Sequence, residues 1–139
     1  MIDRSDYYQA KLAYETDASD VYAARKAGEN LVVIDVRSDE AWAQGRVAGA
    51  VHMHYSEIAA RAAAEVPTDA EVVVYCWSPG CNAGAKGALE FARLGYRVRE
   101  MIGGFEYWVR EGYPVEDADG VHHRPVDPLT GIARVRTRA

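Results

Sequence analysis

Both cysteines of the chain fall in one short stretch, Tyr75-Cys76-Trp77-Ser78-Pro79-Gly80-Cys81-Asn82. A thiolate is a strong nucleophile that forms covalent intermediates, so this is where chemistry is to be sought first. Cys76 stands out by what surrounds it. Val72 to Tyr75 is a β-branched and aromatic run without alternation, the pattern of a buried parallel strand. Beyond the loop, Ala85, Ala88, Leu89, Ala92 and Leu94 recur close to helical spacing. Cys76 is thereby placed at the carboxyl end of a buried strand, facing the start of the next helix, where open α/β sheets hold their ligands. Unpaired first-turn amides and the positive end of the helix dipole favour an anion there. Cys76 is therefore expected to carry more thiolate than a free cysteine. The competing reading, a small buried hydrophobe, is the usual fate of a cysteine in a strand, and the loop position argues against it.

The elements that must position this loop are legible along the chain. Residues 1–10 have no clear period and read as an arm or short helix, and Lys11–Thr16 as a short first strand. Asp17 or Ser19 caps a helix through Lys26, closed by Gly28. Leu31–Val36 is a second unalternating apolar run. Ser38 or Asp39 caps a helical turn around Glu40–Gln44, and Ala50–His54 reads as a third strand. An alanine-rich helix, Ile58–Glu65, precedes the Val72–Tyr75 strand, and the helix after the cysteine loop ends near Arg93 with Gly95 behind it. Tyr96–Ile102 is a fifth strand and Phe105–Arg110 a last helix, ended by Gly112 and Pro114. Strands alternating with helices predict an α/β domain with a five-stranded, mostly parallel sheet flanked by helices on both faces. Residues 1–115 read as this single domain, with its core about 11–115, and 116–139 as a C-terminal tail with little core of its own.

Bulk composition narrows the function classes. A net charge of −5 lacks the basic footprint that nucleic-acid binding needs. No apolar segment approaches a bilayer span, and the charged start Met1 to Asp6 is unlike a secretory signal. Two cysteines do not make a disulfide framework, so the expected address is cytoplasmic.

Three stretches together resemble the rhodanese-like domains. They are Val33-Ile34-Asp35-Val36-Arg37 followed by Glu40, Gly45, Gly49 and Ala50; Val74-Tyr75-Cys76 at a strand end; and Met101-Ile102-Gly103-Gly104-Phe105 with Trp108, Gly112 and Pro114. The resemblance implies a five-stranded parallel sheet and a cysteine that accepts sulfane sulfur as a persulfide. It also implies that Asp35 and Arg37 belong to the framework beside the loop. Two departures stand out. Arg46 occupies a position that is normally histidine, and the loop is longer than the common sulfurtransferase pattern. It resembles the Cys-Trp-x-Pro-Gly-Cys-Asn loop of a group of bacterial single-domain members. The usual loop carries an arginine or lysine, whereas Trp77–Asn82 contains neither.

On this reading Cys76 is the catalytic nucleophile, its persulfide held by converging loop amides without metal or cofactor. Cys81 is a resolving thiol, a second sulfur carrier, a disulfide partner protecting Cys76, or a small residue filling the loop. Its Cys-x4-Cys spacing is not that of thioredoxin-like sites. Trp77 forms a pocket wall or covers the strand end. Pro79 and Gly80 shape the turn of this active-site loop, which also holds Ser78, and Asn82 is positioned to cap the following helix. Lys86 either attracts an anionic donor or is an ordinary exposed lysine. His52 with His54, and His122 with His123, lack the further ligands a metal site would need, and Phe105, Tyr107 and Trp108 read as core. The expected partners are a small sulfur donor (thiosulfate, persulfide or polysulfide) and a thiol or cyanide acceptor. Phosphatase or arsenate chemistry would need a loop arginine. A non-enzymatic redox sensor or partner-binding module using the Cys76/Cys81 pair is the alternative.

Overall fold

The protein is described by a computed structural model covering residues 1–133. Five strands form one parallel sheet: β1 (Glu15–Thr16), β2 (Leu31–Asp35), β4 (Val51–His52), β5 (Glu71–Tyr75) and β6 (Arg97–Met101), in the order β1-β6-β5-β2-β4. The expected sheet and its parallel sense are present. Side-chain alternation divides the core in two. Val72, Val74 and Cys76 point with Ile34 and Val36 to the face covered by α4 (Ile58–Glu65) and α5 (Ala83–Arg93). Val33, Val73 and Tyr75 point to the opposite face, under α2 (Ala18–Lys26) and α6 (Gly104–Arg110). Helices therefore cover both faces, as parallel strands require.

Asp17 caps α2 through a bond from the Asp20 amide, and Ser38 caps α3 (Asp39–Gln44) through one from Ala41. The N-terminal elements differ from the expectation. The segment 11–14 belongs not to a strand but to α1 (Arg4–Tyr14), and only Glu15–Thr16 pairs with β6. Asp3 caps α1 and Lys11 bridges to Glu15 one turn on, local terms that favour helix over a strand with so little to bury. The third strand of the sheet is shorter than Ala50–His54.

A second, antiparallel sheet was not expected. It joins β3 (Arg46–Val47), β7 (Val115–Asp117) and β8 (Gly120–His122). Residues 116–122, expected to be tail, thus form a hairpin that docks on β3. Short strands between turn residues leave no periodicity to read. The arginine-rich end of the expected tail, 134–139, lies outside the described residues.

Candidate active site

The Val-Val-Val-Tyr run leads the chain through the middle of the sheet and delivers Cys76 to its carboxyl end, 5% exposed. The loop that follows is held from α6. The Phe105 amide donates to the Cys76 carbonyl and the Glu106 amide to the Trp77 carbonyl, both at 2.8 Å. This approach demands Gly104. Its φ is +66°, and a Cβ there would sit 2.8 Å from the Cys76 carbonyl oxygen and the Ser78 nitrogen. Ser78, Pro79 and Gly80 complete a tight turn in which the Cys81 amide donates to the Ser78 carbonyl at 3.1 Å.

On the other side, α5 lies close against the sheet because Gly84 and Gly87 have no side chains. A Cβ on Gly87 would meet Val36 Cγ1 at 2.7 Å, and one on Gly84 would meet Glu100 Oε2 at the same distance. Asn82 occupies the N-cap position but makes no capping bond. Its φ and ψ of −93° and 1° are not the extended conformation that turns a side-chain oxygen onto the first-turn amides. Burial, followed by the neighbouring Glu15 charge, raises the Glu100 pKa.

Cys76 and Cys81 are joined by a disulfide. In this state neither sulfur is a thiolate, and a free thiol at either position requires reduction. Of the readings open to Cys81, the structure shows it as the disulfide partner of Cys76.

Asp35 and Arg37 form a buried network below the loop. Asp35 Oδ2 accepts from Arg37 Nη2 at 2.7 Å and from the Tyr75 hydroxyl at 2.6 Å, and Oδ1 accepts from the Arg37 amide at 2.9 Å. Arg37 Nη2 also donates to the Gly45 carbonyl, while the Val47 amide donates to the Tyr75 oxygen. The guanidinium lies 4.4 Å from the Trp77 ring centroid and 4.6 Å from that of Phe105. Among the described residues its Nη1 has no hydrogen-bond partner, leaving those ring faces as its compensation. Burial first, then the Asp35 carboxylate, pushes the Tyr75 pKa well above its usual value.

Trp77, 40% exposed, lines a groove of about 600 Å³ together with Phe105, Val109, Val115, Arg110 and His122. The groove lies between α6 and the hairpin, and Trp77 is its link to the cysteine loop. Lys86 is exposed, with its ammonium 5.3 Å from the Tyr55 ring centroid. The histidines are separately engaged. His52 donates from Nε2 to the Arg37 carbonyl, His54 pairs with Ser56, and His122 pairs with Asp117. Among the described residues no three potential metal-ligating side chains cluster, and no helix is long and apolar enough to cross a membrane.

Comparison with known proteins agrees with this architecture. Residues 17–111 match the family model described as Rhodanese-like domain. The chain belongs to the rhodanese-like domain family. This rhodanese-like domain is 37% identical over 97 residues to a thiosulfate sulfurtransferase GlpE of Actinobacillus succinogenes, covering 67% of this chain and 82% of that one. It is 34% identical over 100 residues to the HTH-type transcriptional regulator Rv0324 of Mycobacterium tuberculosis, covering 71% of this chain but only 43% of the regulator. The crystal structure of the BH2092 protein from Bacillus halodurans superposes with a TM-score of 0.77 at 38% identity, covering 84% of this chain and 85% of that one.

Gly84, Gly87, Glu100 and the Tyr75 hydroxyl went unnoticed in the sequence. The glycines at i and i+3 of an otherwise alanine-rich helix were a signal of close packing. Glu100 and the hydroxyl carried no local signal, since their roles depend on partners far away in the chain.

Proposed function

We propose that this rhodanese-like domain is a sulfurtransferase in which Cys76, once reduced, attacks the outer sulfur of a donor and becomes a persulfide. That sulfur then passes to a thiol or to cyanide, a double displacement with ping-pong kinetics. The observation that carries the reading is the position of Cys76: at the end of β5, beside an α5 N-terminus whose N-cap residue, Asn82, makes no side-chain capping bond. There the dipole and the first-turn amides stabilise a thiolate or persulfide anion. Relatives named thiosulfate sulfurtransferase support sulfur transfer as the general activity. Asp35 and Arg37 serve as framework, Trp77 as a wall for donor or acceptor, and Lys86 as a peripheral charge. A reducing, cytoplasmic setting suits a thiol that must be free to act.

Replacing Cys76 with Ser tests this. Cyanide-dependent thiocyanate formation by the reduced protein is expected to vanish, and activity near that of the wild type overturns the assignment.

The disulfide favours a second reading, a redox sensor without transfer. Intact-mass measurement separates the two. Reduced protein given thiosulfate or polysulfide gains one sulfur or discharges it under transfer chemistry, whereas a pure sensor loses two hydrogens under mild oxidant and never takes up sulfane sulfur.

A further inference from the structure

Resting on the Cys76 persulfide proposed above, the loop geometry points to a further activity: we infer that Cys81 discharges that persulfide as hydrogen sulfide, leaving the Cys76–Cys81 disulfide as the product. The structure shows the end point of this step, with the two sulfurs bonded across a Cys-x4-Cys loop. The loop is built to allow it. Its first carbonyls are pinned to α6, and the Ser78–Cys81 turn folds the second thiol back over the first.

The chemistry balances without an added oxidant. Cys81 thiolate attacks Sγ of Cys76–S–SH. A bond forms between the two cysteine sulfurs, the bond from Cys76 Sγ to the sulfane sulfur breaks, and the sulfane sulfur leaves with the bonding pair and its proton as HS⁻. The dithiol is oxidised by two electrons and the sulfane sulfur reduced by two. With thiosulfate as donor, the sum is protein dithiol plus thiosulfate giving protein disulfide, sulfite and sulfide. Attack on the inner sulfur is the route the geometry supports, because Cys81 Sγ bonds to Cys76 Sγ itself. Tethering both sulfurs in one loop gives the internal thiol a large effective concentration over an external acceptor.

Two consequences separate this from simple transfer. Each sulfur loaded is released as sulfide unless an external acceptor intercepts the persulfide first. Turnover then requires a dithiol reductant to reopen the disulfide, whereas transfer to cyanide alone does not.

The test is a single turnover of the full, pre-reduced chain, freed of reductant and given thiosulfate labelled in its outer sulfur. Labelled sulfide is trapped with a bromobimane, and sulfite and intact protein mass are followed in parallel. Wild type is expected to release about one labelled sulfide per chain and to finish two hydrogens lighter than the dithiol. Cys81→Ser is expected to release at least about tenfold less sulfide and to accumulate the one-sulfur adduct. A wild-type chain that keeps its adduct and releases no sulfide overturns the inference while leaving the persulfide reading intact. That result stands whether or not Cys81→Ser folds. If neither wild type nor Cys81→Ser takes up sulfur from thiosulfate or from a polysulfide given in its place, the persulfide reading itself fails.

Discussion

Cys76 and Gly104 meet at one point in the fold, where the glycine lets α6 approach the backbone of the cysteine loop. Gly104 has a positive φ and no room for a Cβ against the backbone of the cysteine loop. A side chain there must either distort α6 or push the loop away. Gly104→Ala is expected to cost about 1–3 kcal/mol of stability from the backbone conformation alone. It is also expected to lower single-turnover sulfur loading at temperatures where the variant is still folded. Chemical denaturation read beside the loading rate checks this, and loading at the wild-type rate in a destabilised protein would show that the loop does not depend on α6. The oxidised chain lacks a free nucleophile at the same point, so thiocyanate formation should be absent after mild oxidation and return on treatment with a dithiol.

At the scale of elements, the ends of β2 and β5 are locked together by the Asp35–Arg37–Tyr75 network rather than by packing alone. Arg37 also bridges to the segment before β3 through the Gly45 carbonyl, and the Tyr75 oxygen receives the Val47 amide. Arg37→Met would leave the Asp35 carboxylate buried without its counter-charge, a change expected to cost about 3–5 kcal/mol. Thermal unfolding measures it, and a loss below about 1 kcal/mol would mean that water or another group reaches the carboxylate. Tyr75→Phe removes one donor to that carboxylate and one acceptor for the Val47 amide, with an expected cost of about 1–3 kcal/mol. The pH dependence has a definite sign. Because the folded protein raises the Tyr75 pKa, the stability tied to its neutral hydroxyl is fully present below the ordinary tyrosine value and declines as pH rises above it toward the folded value. Tyr75→Phe should therefore flatten the alkaline fall in stability above about pH 10. An unchanged alkaline limb would assign that fall to other groups.

For the molecule as a whole, charge near the loop decides which donor fits. Trp77–Asn82 holds no cation, Arg37 is committed to Asp35 and Gly45 beneath the loop, and Lys86 leans on Tyr55. On the proposed function, thiosulfate is a small dianion that would approach a thiolate, with only backbone amides and one helix terminus near the loop to meet its charge. Helix-terminus stabilisation is worth about 0.3–2 kcal/mol, whereas a charge-assisted hydrogen bond contributes about 1.5–3 kcal/mol. Without a loop arginine, transition-state binding of thiosulfate is expected to be weaker by about tenfold to a hundredfold. A persulfide or polysulfide depends less on such a clamp, and the exposed face of Trp77 with the groove beyond it offers apolar surface. The expected outcome is a higher kcat/KM for a persulfide or polysulfide donor than for thiosulfate. Thiosulfate proving the better donor at ordinary salt would mean that cations outside the loop supply the charge.

The sequence alone determined the parallel sheet and which end of it carries the cysteine loop. Unalternating runs such as Leu31–Val36 and Val72–Tyr75 can be satisfied only by burial on both faces, and glycines at helix ends mark the crossovers. The same pattern puts Cys76 at a strand end beside a helix start. Only the tertiary structure decided what the surroundings do. That Cys81 reaches Cys76 depends on the path of the turn, which α6 holds from some thirty residues away. That Asn82 leaves the α5 amides uncapped depends on backbone angles that residue type does not dictate. The Tyr75 hydroxyl and the β3-β7-β8 sheet draw their partners from distant parts of the chain, and no local period records such pairings. Periodicity reports which side of an element is buried, while the contacts that make a site are set by what lies against that side.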